Sequence, residues 1–259
     1  MPTPENARIA VLIDADNTSK KYVELLINEV AKYGTPTVKR AYGDWTSNHL
    51  NGWKNELNRN AIVPIQQFAY TQGKNSTDSL LIIDAMDLLY TGNLDGFAIV
   101  SSDSDFTSLA TRLREAGKAV YGLGQRKTPE PFRTACTRFI FLEVLSKDDE
   151  PVQEQVDEPD AESAPLPDLR KLLTSAINAT SQDDGWAHLG SVGNYLSNTS
   201  SSFDPRNYGF GRLITLLRDQ DYLDIDTEGS PTVRLKPKQA TTKVVTRKRT
   251  TKKAAAKKS

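Results

Sequence analysis

The sequence predicts an α/β protein: a parallel sheet flanked by helices, followed by a small winged helix-turn-helix (α+β) domain. Three observations carry this expectation. Short β-branched apolar runs alternate with amphipathic stretches over residues 1–146. Hydrophobic periodicity lapses over 147–164 and returns over 165–235. Charge, balanced overall at 33 Lys+Arg against 33 Asp+Glu in 259 residues, is sorted by segment.

The elements follow in order. Ile9-Ala10-Val11-Leu12-Ile13 is short and apolar, and it halts at Asp14, which predicts a buried strand feeding a loop at its carboxyl end. Further strands are expected over Thr37 to Tyr42, Ile62 to Phe68, Phe97 to Ser101 and Ala119 to Leu123, with Phe139 to Leu142 as a sixth. Between them, Ser19 to Tyr33 sets Val23, Leu26, Ile27 and Val30 on one helical face. Thr77 to Tyr90 does the same with Leu81, Ile82, Ala85, Leu88 and Leu89, and Ser104 to Ala116 with Phe106, Leu109 and Leu113. In the second domain the pattern predicts helices near 167–178, 187–197 and 209–220, and strands at 222–225 and 232–235.

Composition bounds the remainder. The segment 147–164 is rich in acids and holds Pro151 and Pro159 with almost no large apolar residue, so it is expected to be a disordered linker. Residues 236–259 contain Lys and Arg but no acid and are expected to be a disordered tail. Lys248, Arg249, Lys252 and Lys253 in that tail suit the phosphate backbone of a nucleic acid, where each cation displaces a counterion. They equally suit a solubilising role, or pairing with the acidic linker. No run approaches the length of a membrane span. The N-terminus lacks an apolar signal core, and Cys136 has no cysteine partner, which points to a cytoplasmic protein.

Open parallel sheets place their sites at the carboxyl ends of strands. Asp14, Asp16 and Asn17 follow the first strand, Asp103 and Asp105 follow Phe97 to Ser101, and Asp78 opens a helix after Gly73-Lys74-Asn75. Gathered carboxylates repel one another unless cations are present. A hard divalent ion such as Mg²⁺ takes a few carboxylates together with substrate phosphate oxygens, and can promote phosphodiester cleavage. Each Asp taken singly is equally a helix cap, with Ser104 or Asp105 the expected cap ahead of Phe106.

Three motifs, Ile13-Asp14-Ala15-Asp16-Asn17, Gly73-Lys74-Asn75-Ser76-Thr77-Asp78 and Val100-Ser101-Ser102-Asp103-Ser104-Asp105-Phe106, together resemble an NYN domain of the LabA type, within the PIN-like nuclease superfamily. The resemblance spans about residues 8 to 145 and implies a PIN-like fold and an Mg²⁺- or Mn²⁺-dependent ribonuclease acting on RNA. It implies Asp14, Asp78, Asp103 and Asp105 as the catalytic and metal-binding acids, with Asn17 and Asp84 in support; beside them, Lys74 is a candidate for holding a substrate phosphate or a plain loop lysine, and Ser102 for orienting Asp103 or simply finishing the strand. Asp84 lies six positions after Asp78, about 240° round a helix. Lys74 and Asp78 are separated by Asn75-Ser76-Thr77, where many relatives are shorter, which loosens the placing of Lys74. Arg40, Arg112, Arg126, Lys127 and Arg133 are candidates for lining the strand path.

The second domain, with Gly185-Trp186-Ala187-His188-Leu189 and Phe203-Asp204-Pro205-Arg206-Asn207-Tyr208-Gly209, resembles an OST-HTH, or LOTUS, domain. That likeness implies binding of RNA, or of a protein such as a helicase. Trp186, Tyr195 and Tyr208 are either base-stacking platforms or core. Two rival functions remain open: a non-catalytic RNA-binding regulator, and a haloacid-dehalogenase-like phosphatase with Asp14 of Asp14-Ala15-Asp16-Asn17-Thr18 as nucleophile.

Overall fold

The computed structural model describes residues 7–68, 76–146 and 166–236. The expected linker, the basic tail beyond Lys236, and Lys74 lie outside these residues.

The first domain runs β1 (Arg8–Asp14), α1 (Val23–Ala31), β2 (Thr35–Gly43), α2 (Trp53–Arg59), β3 (Val63–Gln66), α3 (Ser76–Thr91), β4 (Gly96–Val100), α4 (Thr107–Glu115), β5 (Ala119–Gly124), α5 (Glu130–Ala135), β6 (Arg138–Phe141) and α6 (Leu142–Leu145). Its six strands form one parallel sheet in the order β3-β2-β1-β4-β5-β6, which places β1 and β4 side by side in the middle. Alternate side chains of β1 feed two cores. Ile9, Val11 and Ile13 pack with Val23, Leu26 and Val30 of α1 and with Trp53 and Leu57 of α2. Ala10 and Leu12 pack with Leu81 and Ala85 of α3, Leu109 and Leu113 of α4, and Phe132 of α5. With both faces covered, β1 has no solvent side, and this is why its apolar run is continuous. Cys136 is buried, and burial pushes its thiol up to about 12.

All six expected strands form, with ends shifted by a few residues, while three short helices (α2, α5 and α6) appear where none was expected. The strand expected to reach Phe68 ends at Gln66, and Phe68 is left exposed.

The second domain comprises α7 (Leu169–Thr180), β7 (Ala187–His188), α8 (Leu189–Thr199), α9 (Leu213–Arg218), β8 (Leu223–Asp226) and β9 (Thr232–Leu235). A small antiparallel sheet in the order β7-β9-β8 closes the core formed by Leu173, Ile177, Val192, Leu196, Leu216 and Leu217. Two expected helices start late. Ala187 and His188 pair with β9 as strand, and the stretch 209–212 is non-helical because Gly209 adopts φ +87°, closing the 3₁₀ turn Pro205–Tyr208 in the left-handed region. Tyr195 and Tyr208 pack against the core, and Arg234 lies over the Trp186 ring, 4.5 Å from its centroid.

The two domains touch along the β6 edge. Phe139 N–H donates to the Ser201 carbonyl (2.7 Å), and Ser201 Oγ donates to the Arg133 carbonyl (2.6 Å). Arg206 forks onto Glu29 of α1 through both terminal nitrogens, at 3.0 and 2.7 Å, while also bonding Asp204. An otherwise open sheet edge is thereby covered. Among the described residues no helix is long and apolar enough to cross a membrane.

Candidate functional site

Because β1 and β4 are neighbours, their carboxyl ends deliver Asp14 and Ser101 to the same place. Asp14 is fully buried; its Oδ2 accepts from Asn17 Nδ2 (2.7 Å) and Ser101 Oγ (2.8 Å), and its Oδ1 from Asn17 N–H (3.3 Å). Burial still leaves the Asp14 carboxyl raised above the ordinary range, although these hydrogen bonds oppose the shift. Ser101 Oγ in turn accepts from Asp103 N–H (3.1 Å), so one hydroxyl joins the two strand ends. Asp103 caps the 3₁₀ turn Ser104–Phe106 by accepting from Asp105 N–H (2.9 Å). The capping expected of Ser104 or Asp105 therefore falls to Asp103, whose extended backbone suits the cap position.

Asp78, nearly buried in the first turn of α3, faces this loop. Carboxylate oxygens of Asp78, Asp103 and Asp105 all lie within 4.8 Å of one another. Burial, then repulsion from Asp14, Asp103, Asp105 and Asp16, raises the Asp78 carboxyl to about 6. Among the described residues neither Asp78 nor Asp103 forms an ion pair with Lys or Arg. Three hard carboxylate oxygens this close together are the kind of donor set that a hard divalent cation such as Mg²⁺ or Mn²⁺ takes. Asp14 lies behind this trio and is not one of it.

The supporting residues divide. Asn17 holds Asp14 from two atoms, as expected of a supporting polar group. Ser102 does not orient Asp103; its Oγ accepts from Gln125 N–H (2.9 Å), and Ser101 contacts Asp103 instead. Asp84 points to the opposite side of α3, where it pairs with Arg40 and accepts from the Tyr42 hydroxyl, so both Asp84 and Arg40 are committed away from the acids. Arg112 bonds Tyr90 Oη, and Arg126 and Arg133 lie over the Phe141 ring. Of the suggested strand-lining cations, Lys127 borders a hollow of about 340 Å³ together with Asn17, Ser102 and Asp103. Two neighbours were not foreseen: Thr77 Oγ1 donates to Asp16 (3.0 Å), and His49 Nε2 lies 3.3 Å from the other Asp16 oxygen. The spacing of His49 from β1 gave no sign of this.

A central parallel sheet with acids converging at its carboxyl end, followed by a helical domain with a small antiparallel sheet, is the architecture of a PIN-like nuclease-type domain joined to an RNA- or protein-binding module. The chain belongs to the NYN domain family, whose model matches residues 8–143, and it carries an OST-HTH/LOTUS domain that matches residues 163–234. It is 26% identical over 121 residues to an uncharacterized protein of Methanocaldococcus jannaschii, covering 45% of this chain and 47% of the other, so the match spans about half the length of that relative. A crystal structure of a Vibrio parahaemolyticus protein of unknown function is similar at a TM-score of 0.44 and 16% identity, over 54% of this chain and 96% of that one. A solution structure of a Chromobacterium violaceum fragment is 38% identical, over 27% of this chain and 83% of that one, at a TM-score of 0.24.

Proposed function

We propose that this protein is a divalent-metal-dependent ribonuclease, hydrolysing RNA phosphodiesters at the aspartate cluster and directed to its targets by the LOTUS domain. The convergence of Asp78, Asp103 and Asp105 in front of buried Asp14 carries the reading. Asp78, Asp103 and Asp105 would hold Mg²⁺ or Mn²⁺, and Asp14 would add a fourth carboxylate from its buried position beside them. When bound, the cation supplies charge neutralisation at the scissile phosphate and acidifies water. Asn17 and Ser101 fix the Asp14 carboxylate, while Ser101 and the cap on Asp105 N–H fix Asp103. Lys127 attracts the RNA backbone beside the acids.

A phosphatase with Asp14 as nucleophile is disfavoured, because that side chain is fully buried and both of its oxygens accept hydrogen bonds. Lys74 is proposed as a phosphate contact, and Lys248, Arg249, Lys252 and Lys253 as a sequence-independent anchor on the RNA; RNA or a helicase is the partner proposed for the LOTUS domain, in the cytoplasm.

Purified protein with Mn²⁺ or Mg²⁺ should degrade single-stranded RNA. Asp103→Asn should lower the rate by about a hundredfold or more, a loss of nearly 3 kcal/mol of transition-state stabilisation. Wild-type protein without cleavage in either metal, but with RNA bound, would instead establish a non-catalytic regulator.

A further inference from the structure

A second site lies at the opposite end of the sheet. Two adjoining hollows, of about 500 and 580 Å³, share Tyr33, Arg114, Tyr121 and Thr137 as walls. Each falls within the size range of sites that enclose a small organic ligand. They sit at the amino-terminal ends of β5 and β6, whereas the aspartates sit at the carboxyl ends of β1 and β4, about 20 Å away along a strand of this length. Asn198 on α8 closes one hollow from the second domain.

The lining has two chemical features. It is cationic, with Lys32, Arg114, Lys118 and Arg138 against the single carboxylate of Asp95. Lys32 and Arg138 are paired with Glu29 and Asp204, but Arg114 and Lys118 donate only to backbone carbonyls of Thr134, Ala135 and Leu94, so their charge is uncompensated among the described residues. It is also aromatic: the half-buried rings of Tyr33 and Tyr121 stack at 4.7 Å and 22°, with the Arg138 guanidinium 5.5 Å from the Tyr33 centroid. Stacked aromatics beside unpaired guanidinium and ammonium groups match a ligand carrying both a flat base and a phosphate. An acidic peptide would use the charge but not the rings.

We propose that this interdomain cleft binds a nucleotide unit of single-stranded RNA, stacking its base at Tyr33 and Tyr121 and holding its phosphate with Arg114 and Lys118. The proposal rests on the reading of RNA as substrate, and places a second grip on the same strand remote from the acids. The second domain lines one of the two hollows, through Ser197, Asn198, Thr199 and Ser201, while the residues that grip the nucleotide all belong to the first domain.

The test is fluorescence anisotropy of the full chain with a labelled single-stranded RNA in EDTA, over a salt series, for wild type, Arg114→Glu and Asn198→Glu. Arg114 and Asn198 are both exposed, and melting curves check that each variant folds. Each variant should bind about tenfold more weakly than wild type. Arg114→Glu should also reduce the salt slope by about one, the signature of a lost phosphate contact. If Arg114→Glu melts early, Asn198→Glu decides. Wild-type affinity and slope in folded variants would overturn the proposal. So would AMP that binds in an Arg114-dependent way while RNA affinity is unaffected, since the cleft would then hold a free nucleotide. Binding is read without metal, so failure of the ribonuclease reading, an absence of cleavage with Mn²⁺, leaves this result interpretable.

Discussion

Two clusters of carboxylates in this protein are shifted in opposite directions. At the carboxyl end of the sheet, burial and four acidic neighbours raise Asp78 to about 6. At the domain junction burial pushes Glu29 the same way, but hydrogen bonds from Arg206 and Lys32 outweigh it and hold the carboxyl down to about 2. The junction closes its charge within the fold, whereas at the strand ends burial and acidic neighbours work together against the ionised Asp78 carboxyl. The same contrast separates a structural site from a binding site: one is stable as built, and the other is costly until occupied.

The largest expected effect comes from breaking the closed cluster. Arg206→Ala leaves the buried Glu29 with Lys32 alone and Asp204 with the more distant Arg138, and should cost up to about 3–5 kcal/mol, the range for removing one partner of a buried ion pair. Chemical denaturation should record that loss, and limited proteolysis should show faster cutting as the second domain undocks. If the variant loses less than about 1 kcal/mol, the junction acts as a surface ion pair and not as a closed buried cluster.

The opposite result is expected at the open cluster. Asp78→Asn removes a repelled carboxylate, so at pH 7 it should stabilise the metal-free protein by about 1–3 kcal/mol. The same variant should lose most of the rise in melting temperature that Mn²⁺ gives the wild type, because occupancy stabilises in proportion to affinity. A stabilised variant that kept the full Mn²⁺ shift would detach the electrostatics from the metal.

How far the sequence reaches follows the same division. β1 and β4 were readable because burial on both faces leaves a continuous apolar run, and the strand ends then placed Asp14, Asp103 and Asp105. α2, α5 and α6 were not, since four to seven residues give too few turns for a periodic pattern; the Trp53 and Leu57 pair was the only hint. Ser101 read as the last residue of a strand, and its bridge between Asp14 and Asp103 depends on β1 and β4 being adjacent in the sheet, 87 residues apart in sequence. The Arg206 contact with Glu29 spans 177 residues and has no local pattern. Asp84 misled in a different way: it keeps the motif spacing, but the helix turns it towards Arg40.

Acid should act on the two clusters with opposite signs, an effect smaller than either substitution gives. For Asp78 the folded carboxyl, near 6, exceeds its unfolded value of 3.8, so between these values the folded state binds the extra proton and gains stability as pH falls. From pH 6 to 5 the metal-free protein should therefore become more stable by about 1 kcal/mol. For Glu29 the folded carboxyl, near 2, lies below its unfolded value of 4.5, so its contribution is complete above pH 4.5 and is lost as pH falls towards 2. Stability of the metal-free protein, followed by denaturant titration at successive pH values, should pass through a maximum near pH 4, where the two opposing slopes cancel. Asp78→Asn should flatten the alkaline side of that maximum and leave the acid side, while Glu29→Gln should do the reverse. A wild-type profile that falls steadily from pH 6 downwards would mean that the strand-end acids are already compensated, and that the two clusters do not differ as described.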